Sequence, residues 1–575
     1  MTHPLLAKHR DTLDNALAAI ADRGYFSIYP ESPSPRVYGE TAADDGKAAF
    51  TALLGQRFDI DQPGVRDHVA TEDSPFGIDL GVEYPRTEPG ALIDAATAAW
   101  PSWRDADPAT RAGVCIEILE RIHKDVFTMA NAVHATTGQP FVMAFQAGGP
   151  HALDRGLEGV AYGYFEQTRT PATSYWEKPA GKGQVLAMEK TFTVVPRGVA
   201  LVVACATFPT WNSYPGLFAS LVTGNPVIVK PHPNAVLPLA LTVRHAREVL
   251  AEAGFDPNLV TLAAERPDDR IAASLATDPR VRIVDFTGST SFGTWLEDNA
   301  RHAAVYTEKA GVNTVVIDST EDFKGLCRNL AFTLCLYSGQ MCTTTQAIFL
   351  PSDGIDTPEG HLSADEVIAG IAGAVEKLTG DDAKAVELIG AVSAGVADRV
   401  GDAAGLGEVV LASRAITHPS YPDARVRTPL LLKVTAEARK SYGTECFGPI
   451  AFFVTTSGTA ESLNLVREVV TEQGALTMGV YSTDDAVLDA TEQVSRDVAV
   501  HLSRNLYGGV FVNQTAAFSD FHASGGNPAA NASLVDGAYV SGRFRVIESR
   551  RHVPPRANSL SRTRERTISP LVVLV

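Results

Sequence analysis

Between Thr191 and Ile317 short β-branched apolar runs alternate with helical segments: TFTVVP, GVALVVAC, NPVIVKP, NLVTLA, VRIVDFTG and NTVVI. Runs that are apolar throughout, rather than at every second position, fit parallel strands buried on both faces. Between two of them Leu239, Val243, Ala246 and Leu250 share one stripe, with Pro238 in the first turn and Gly254 just past the end. That pattern predicts a helix and, with its flanking strands, a βαβ unit of a doubly wound sheet. A second α/β series runs from about 314 to 510, with a charged helical piece near 364 to 379 and strands predicted at PIAFFV and GGVFVN. Two α/β lobes with a cleft between them are expected.

Outside these lobes the pattern changes. From Ala95 to about Phe145, Cys115, Leu119, Ile122 and Val126 recur at spacings of four, three and four, which predicts an amphipathic packing helix. Residues 1–90 scatter Pro and Gly through ESPSPRVYG and FGIDLGVEYPRTEPG and read as helices joined by irregular segments. RFRVIESRRHV alternates like a strand with no neighbour in its own chain, so it is expected to add to a partner's sheet. The tail RANSLSRTRERTISPLVVLV is expected to be loosely attached. Nothing repeats with a period of about 20 to 50 residues, which argues against a solenoid or propeller.

Composition narrows the function. The 575 residues are 45% hydrophobic and 20% charged, an ordinary globular balance with room for about three or four compact units. With 67 acidic against 49 basic side chains the formal charge is −18, which speaks against nucleic-acid and anionic-membrane partners. No signal-peptide stretch or span of ~18 to 20 apolar residues is present, so a cytoplasmic protein is expected. The six cysteines form no CxxC pair; reduced thiols and no metal site are expected.

Four places carry candidate chemistry. Cys342, in LYSGQMCTTTQAIFL, has a polar and flexible neighbourhood, although a lone cysteine equally suits a small buried filler. Cys327 and Cys335, on CRNLAFTLCLY, read as core. Glu308, in VYTEKAGVNTVVI, stands before an Ala-Gly pair that lets backbone approach closely; an isolated Glu also suits a solvated surface. In VRIVDFTGSTSFGTWLEDNA a strand passes through Gly288, Ser289 and Thr290 into a helix, which offers backbone N–H groups and a positive helix end to a phosphate, or simply an N-capped turn. Lys230 ends NPVIVK at the sheet edge where ligands bind, a position that a solvated lysine also occupies.

The combination is more specific than its parts. FTGST, TEKAG, GQMC and ECFGPI, in that order after a strand ending in Lys-Pro, resemble the NAD(P)-dependent aldehyde dehydrogenase superfamily, as does the separation of 34 residues between Glu308 and Cys342. AWPSW, TTGQP, GVFVNQT and HASGGNP extend the resemblance over roughly 90–553. It implies two doubly wound lobes and a small β oligomerisation arm. The implied divisions are an N-terminal extension (1–90), a cofactor-binding domain (91–307, bridging strands near 170–195), a catalytic domain (308–510), a closing loop with the oligomerisation strand (511–553) and a tail (554–575).

The resemblance also implies roles. The Cys342 thiolate attacks an aldehyde and Glu308 activates the water that hydrolyses the resulting thioester. Lys230 and Glu445 contact the cofactor ribose, Phe447 packs near the nicotinamide ribose, and the turn bearing Gly288, Ser289 and Gly293 receives the pyrophosphate. The superfamily's Asn-Phe-Pro appears as Thr207-Phe208-Pro209, 23 residues before Lys230, which puts Thr207 where the oxyanion-stabilising Asn sits. Thr207 or Asn212 is expected to substitute, beside the Cys342 backbone N–H. Pro233 stands where NAD-preferring relatives often carry a Glu, so NADP is expected, with NAD the alternative. A homodimer or homotetramer is expected. Within the superfamily the resemblance is finest to the PaaN-type phenylacetic acid degradation family, which implies a CoA-linked semialdehyde as substrate. The competing readings are a general or CoA-acylating aldehyde dehydrogenase and a catalytically weakened scaffold.

Overall fold

Four of the six apolar runs assemble, with Ala304–Glu308 as a fifth strand, into one parallel sheet, in the spatial order Val260–Leu262, Val227–Lys230, Val199–Val203, Val281–Thr287, Ala304–Glu308, in a computed structural model that describes residues 4–309 and 311–556. Val199–Val203 and Val227–Lys230 are buried at every position, which is what their unbroken apolarity requires. The chain starts at the central strand Val199–Val203 and winds outwards first to one side, then to the other. The switch between the two directions opens a crevice at the carboxyl ends of the strands. The helix Leu237–Glu252 follows Val227–Lys230, with Gly254 beyond its end at φ +82°.

The second lobe has seven strands, in the order Glu408–Leu411, Leu430–Thr435, Ile450–Thr456, Ala347–Pro351, Thr314–Ile317, Thr477–Tyr481, His501–Arg504, all parallel except the antiparallel first edge. The helix Ala364–Thr379 covers it, opened by a capping box between Ser363 and Glu366. The GGVFVN run is not a strand, contrary to expectation. Side chains take its carbonyls instead: Asn329 Nδ2 donates to Val510 O at 2.6 Å and Thr343 Oγ1 to Asn513 O at 2.7 Å.

TFTVVP also leaves the parallel sheet. It lies in Val185–Pro196, where exposed and half-buried positions alternate over much of the length, the middle strand of a three-stranded antiparallel sheet with Thr173–Pro179 and Phe544–His552. This corrects the reading of RFRVIESRRHV: that strand pairs within its own chain, from Phe544 opposite Pro196 to His552 opposite Met188. Alternation announces a strand, whereas a partner far upstream leaves no local trace. The tail expected to be loose lies outside the described residues beyond Arg556.

The single packing helix expected from Ala95 to Phe145 is four: Pro89–Asp105, Pro108–Lys124, Val126–Thr137 and Phe141–Gly148. Asp107 caps the second, accepting from the Thr110 N–H ahead of Pro108, and Gly138 ends the third at φ +82°. In the N-terminal region the helix Arg10–Asp22 packs on Pro150–Thr168, and Arg23 pairs with the buried Glu158. That contact leads residues 25–31 to the cleft. Among the described residues no helix is long and apolar enough to cross a membrane.

Candidate active site

Cys342 is delivered by an abrupt reversal of the chain. The helix Phe323–Cys335 ends and Tyr337, Ser338 and Gly339 follow with φ of 51°, 50° and 63°. Two consecutive non-glycine residues in the left-handed region cost about 1–2 kcal/mol each, so the surroundings must hold them. Tyr337 Oη donates to Thr137 O at 2.6 Å and Ser338 Oγ to Ile389 O at 3.0 Å, while a Cβ on Gly339 would meet Gly448 O at 2.6 Å. Asn313 then ties the loop to the sheet: its Nδ2 donates to Cys342 O and Thr344 O, and its Oδ1 accepts from the Leu476 and Thr477 N–H groups.

Glu308 is the last residue of its strand and 5% exposed. Its carboxylate meets three groups from distant parts of the chain. His522 Nε2 lies 3.1 Å from Oε1, Asn212 Nδ2 lies 3.3 Å from each oxygen, and Cys342 supplies a further hydrogen bond. Cys342 Sγ is itself 3.6 Å from His522 Nε2, and the thiol, carboxylate and imidazole offer atoms that all lie within 4.8 Å of one another. Burial alone would raise the Glu308 pKa. With His522 protonated, its charge and hydrogen bond, then the contacts of Cys342 and Asn212, outweigh it and hold the carboxyl below its ordinary value. Burial first, and Glu308 second, push the Cys342 thiol well above its own.

Cys342, His522 and Asn212 border a cavity of about 410 Å³, with Phe208, Trp211, Phe332 and Met341 as apolar walls, and Glu308 lies behind them, off its lining. Tyr25, Phe26 and Glu31 of the N-terminal region, with His151 and Asp154, stand on its lining. Thr207 is not part of it: its hydroxyl lies 4.0 Å from Cys205 Sγ and its carbonyl accepts from Gln139 Nε2 at 2.7 Å. Asn212 does border the cavity, with its amide donor turned to Glu308.

Across the crevice lie the residues assigned to a cofactor. Ser289 caps the helix Thr290–Asn299, accepting from the Phe292 N–H; the Gly288 N–H donates to Glu308 O and the Gly293 N–H to Ser289 O. Lys230 and Glu265 form an ion pair, 4% and 3% exposed. Burial lowers the Lys230 pKa, against the opposing pull of Glu265. Burial raises Glu445 to about 7, Arg399 and the Gly311 N–H opposing. Phe447 is half-buried and its carbonyl accepts from Arg399 at 2.7 Å. A capped helix start beside a strand end, with a buried lysine and carboxylate at the same edge, suits a dinucleotide's phosphates and ribose hydroxyls.

The sequence pattern passed over His522, Asn313 and Glu265. His522 stands 180 residues from Cys342 in a loop without periodicity, and only its place in HASGGNP marked it.

A doubly wound α/β chain with a thiol and a carboxylate facing each other beside a crevice at the carboxyl ends of its strands is the class this geometry defines. A model of the aldehyde dehydrogenase family matches residues 85–533, and the chain belongs to that family. A solved structure described as an NAD-dependent aldehyde dehydrogenase from Burkholderia multivorans is 57% identical, with 97% of this chain and 100% of that chain covered and a TM-score of 0.95. The 1-pyrroline-5-carboxylate dehydrogenase of Bacillus subtilis is 23% identical over 343 residues, 58% of this chain and 63% of that protein. An aldehyde dehydrogenase family 7 member A1 homologue of Caenorhabditis elegans is 30% identical over 161 residues, 27% of this chain and 29% of that protein. The matches thus span less than two thirds of both curated relatives.

Proposed function

We propose that the protein oxidises an aldehyde to a carboxylic acid with a nicotinamide dinucleotide as acceptor. The observation that carries this reading is the contact of the Glu308 carboxylate with Cys342 and Asn212, which border one cavity. The Cys342 thiolate attacks the carbonyl carbon, and the Cys342 backbone N–H receives the oxyanion of the thiohemiacetal. A nicotinamide held in the crevice would supply the hydride acceptor, so that loss of hydride from the thiohemiacetal leaves a thioester on Cys342. Glu308, kept ionised by His522 and Asn212, takes a proton from the water that attacks the thioester, and Cys342 leaves as the thiolate. A hydrolytic rather than CoA-acylating outcome is supported by Glu308 itself, and catalysis rather than a scaffold role by its contact with the nucleophile. Thr207 faces Cys205, so a part for its hydroxyl at the oxyanion requires a turn about its side-chain bond.

Lys230, Glu265 and Glu445 would hold the ribose units, Phe447 the nicotinamide end, and the Ser289-capped turn with Gly288 and Gly293 the pyrophosphate. The pairing of Lys230 with Glu265 favours NAD over the NADP suggested by Pro233, because a carboxylate at that edge repels a 2′-phosphate. The division into cofactor and catalytic halves near 307/308 belongs to this reading, and so does a homo-oligomer. The latter is supported by Phe544–His552, which has no strand neighbour on its outer side among the described residues.

The cavity lining favours an uncharged aldehyde with an apolar or aromatic body. The CoA-linked semialdehyde of phenylacetate ring opening asks for cationic side chains, and the lining has Glu31, Asp154 and His151 but neither Lys nor Arg among its described residues. Mixing the purified protein with NAD or NADP and a panel of free and CoA-linked aldehydes, while following reduced-nicotinamide absorbance, tests the reading. Turnover of aromatic aldehydes is expected. Absence of turnover on every aldehyde would overturn it, and a preference for the CoA-linked compound would overturn the substrate assignment.

A further inference from the structure

The mechanism above leaves the thiol proton without a destination. Burial and the neighbouring carboxylate both hold Cys342 in its protonated form, whereas the reaction needs the thiolate. Glu308 is not the acceptor in this scheme, because its carboxylate is required later for water. A third group is present. His522 is 2% exposed, and its Nε2 stands 3.6 Å from Cys342 Sγ and 3.1 Å from Glu308 Oε1. Its position is fixed on the remaining sides. The ring packs edge-on to Trp211 at 4.7 Å, Nδ1 is 3.4 Å from Thr515 Oγ1, and the His522 backbone exchanges two 2.9 Å hydrogen bonds with Leu534.

We propose that His522 is a catalytic acid–base residue that takes the proton of Cys342 and balances the thiolate and the Glu308 carboxylate with one imidazolium. In the step His522 starts neutral with its proton on Nδ1, towards Thr515 Oγ1; the S–H bond breaks, its electron pair stays on sulfur, and the proton forms the Nε2–H bond, which then donates to Glu308 Oε1. That pair then makes the C–S bond to the aldehyde carbon while the carbonyl π pair moves onto oxygen. A buried imidazolium between two anions removes the like-charge conflict that otherwise disfavours the thiolate. The other ionisable groups nearby do not offer this. Glu445 and Cys205 act on Cys342 in the same unfavourable direction as Glu308. Arg155 lies over Trp211 at 5.2 Å and pairs with Glu158 at 2.7 Å.

The proposal rests on Cys342 being the nucleophile, and the test separates the two. The full-length protein is treated with iodoacetamide across pH 5 to 10, and labelling of Cys342 is followed by mass spectrometry in the wild type, His522→Asn, His522→Gln and His522→Ala, with cofactor binding and the melting temperature as checks of fold. In the variants, labelling at pH 7 is expected to fall by about tenfold or more and its inflexion to move up by at least about one pH unit. Added imidazole is expected to restore part of the rate in His522→Ala. Coincident pH profiles in the wild type and both amide variants would overturn the role of His522. A wild type in which Cys342 does not label at all would overturn the nucleophile reading and this proposal with it.

Discussion

Asn212 Nδ2 lies 3.3 Å from both carboxylate oxygens of Glu308 and binds them from the helix Pro209–Val222, 96 residues earlier in the chain. A single amide shared by two oxygens orients the carboxylate more than it stabilises its charge. Asn212→Ala is therefore expected to lower the rate of thioester hydrolysis by about tenfold, the loss of one charge-assisted hydrogen bond, while the burst of reduced cofactor persists. Pre-steady-state absorbance measures both, and a lost burst would move Asn212 into the acylation step.

Glu308→Gln removes the base itself. The burst is expected to survive and steady turnover to fall by about 10²- to 10⁴-fold. The pH dependence has a definite sign. A carboxyl held below its ordinary value is fully ionised at neutral pH, so the hydrolysis step is complete above its folded pKa and is lost as pH falls through it. The acid limb of the single-turnover hydrolysis rate is thus expected below the usual carboxylate range of about 4, and to vanish in Glu308→Gln.

How much of this the chain announces depends on the distance over which each feature is determined. The five-stranded sheet was legible because Val199–Val203, Val227–Lys230 and Ile283–Phe286 write their burial into consecutive residues. Ser289 was legible because a helix cap is local. The same local logic misread GGVFVN, which looks like a strand until Asn329 and Thr343 take its carbonyls. The triad of Cys342, Glu308 and His522 belongs to three separate segments, so its third member appears only when the chain has folded. Pro233 is the part of the cofactor edge that the sequence displays, whereas Glu265, the acid paired with Lys230, comes from a loop after another strand and is seen only in the fold.

Glu265 is the basis of the cofactor prediction. Beside Lys230 it would accept from a ribose hydroxyl and repel a 2′-phosphate. Glu265→Gln is expected to raise the kcat/KM ratio of NADP to NAD by about tenfold or more, mainly through KM for NADP. A wild type that prefers NADP would remove the premise.

Stability of the closing segment turns on Arg543. It is 0% exposed and forks onto Asp285 at 2.6 and 2.8 Å, with Tyr539 Oη donating to the same carboxylate at 2.7 Å. Arg543→Met strands a buried carboxylate and is expected to cost about 3–5 kcal/mol, while Arg543→Met with Asp285→Asn recovers part of the loss. Urea unfolding of the single and double variants gives the coupling directly.

Asp154 supplies the last prediction, because its burial works against the folded state at neutral pH. One oxygen accepts from Ser27 Oγ at 2.6 Å and the other, Oδ1, is buried without a partner. Burial raises the carboxyl to about 7, against the smaller opposing effect of Ser27. Between about 4 and 7 the folded chain therefore holds a proton that the unfolded chain has lost, so this group's contribution to stability falls as pH rises through that window and stays at its lowest above it. Asp154→Asn keeps a partner for Ser27 and carries no charge. The variant is expected to be more stable than the wild type at pH 8, on the order of 2 kcal/mol, with the difference shrinking towards zero near pH 4. Melting curves of both proteins at pH 4, 6 and 8 measure it, and a difference that does not change with pH would show that Asp154 is ionised in the folded chain throughout.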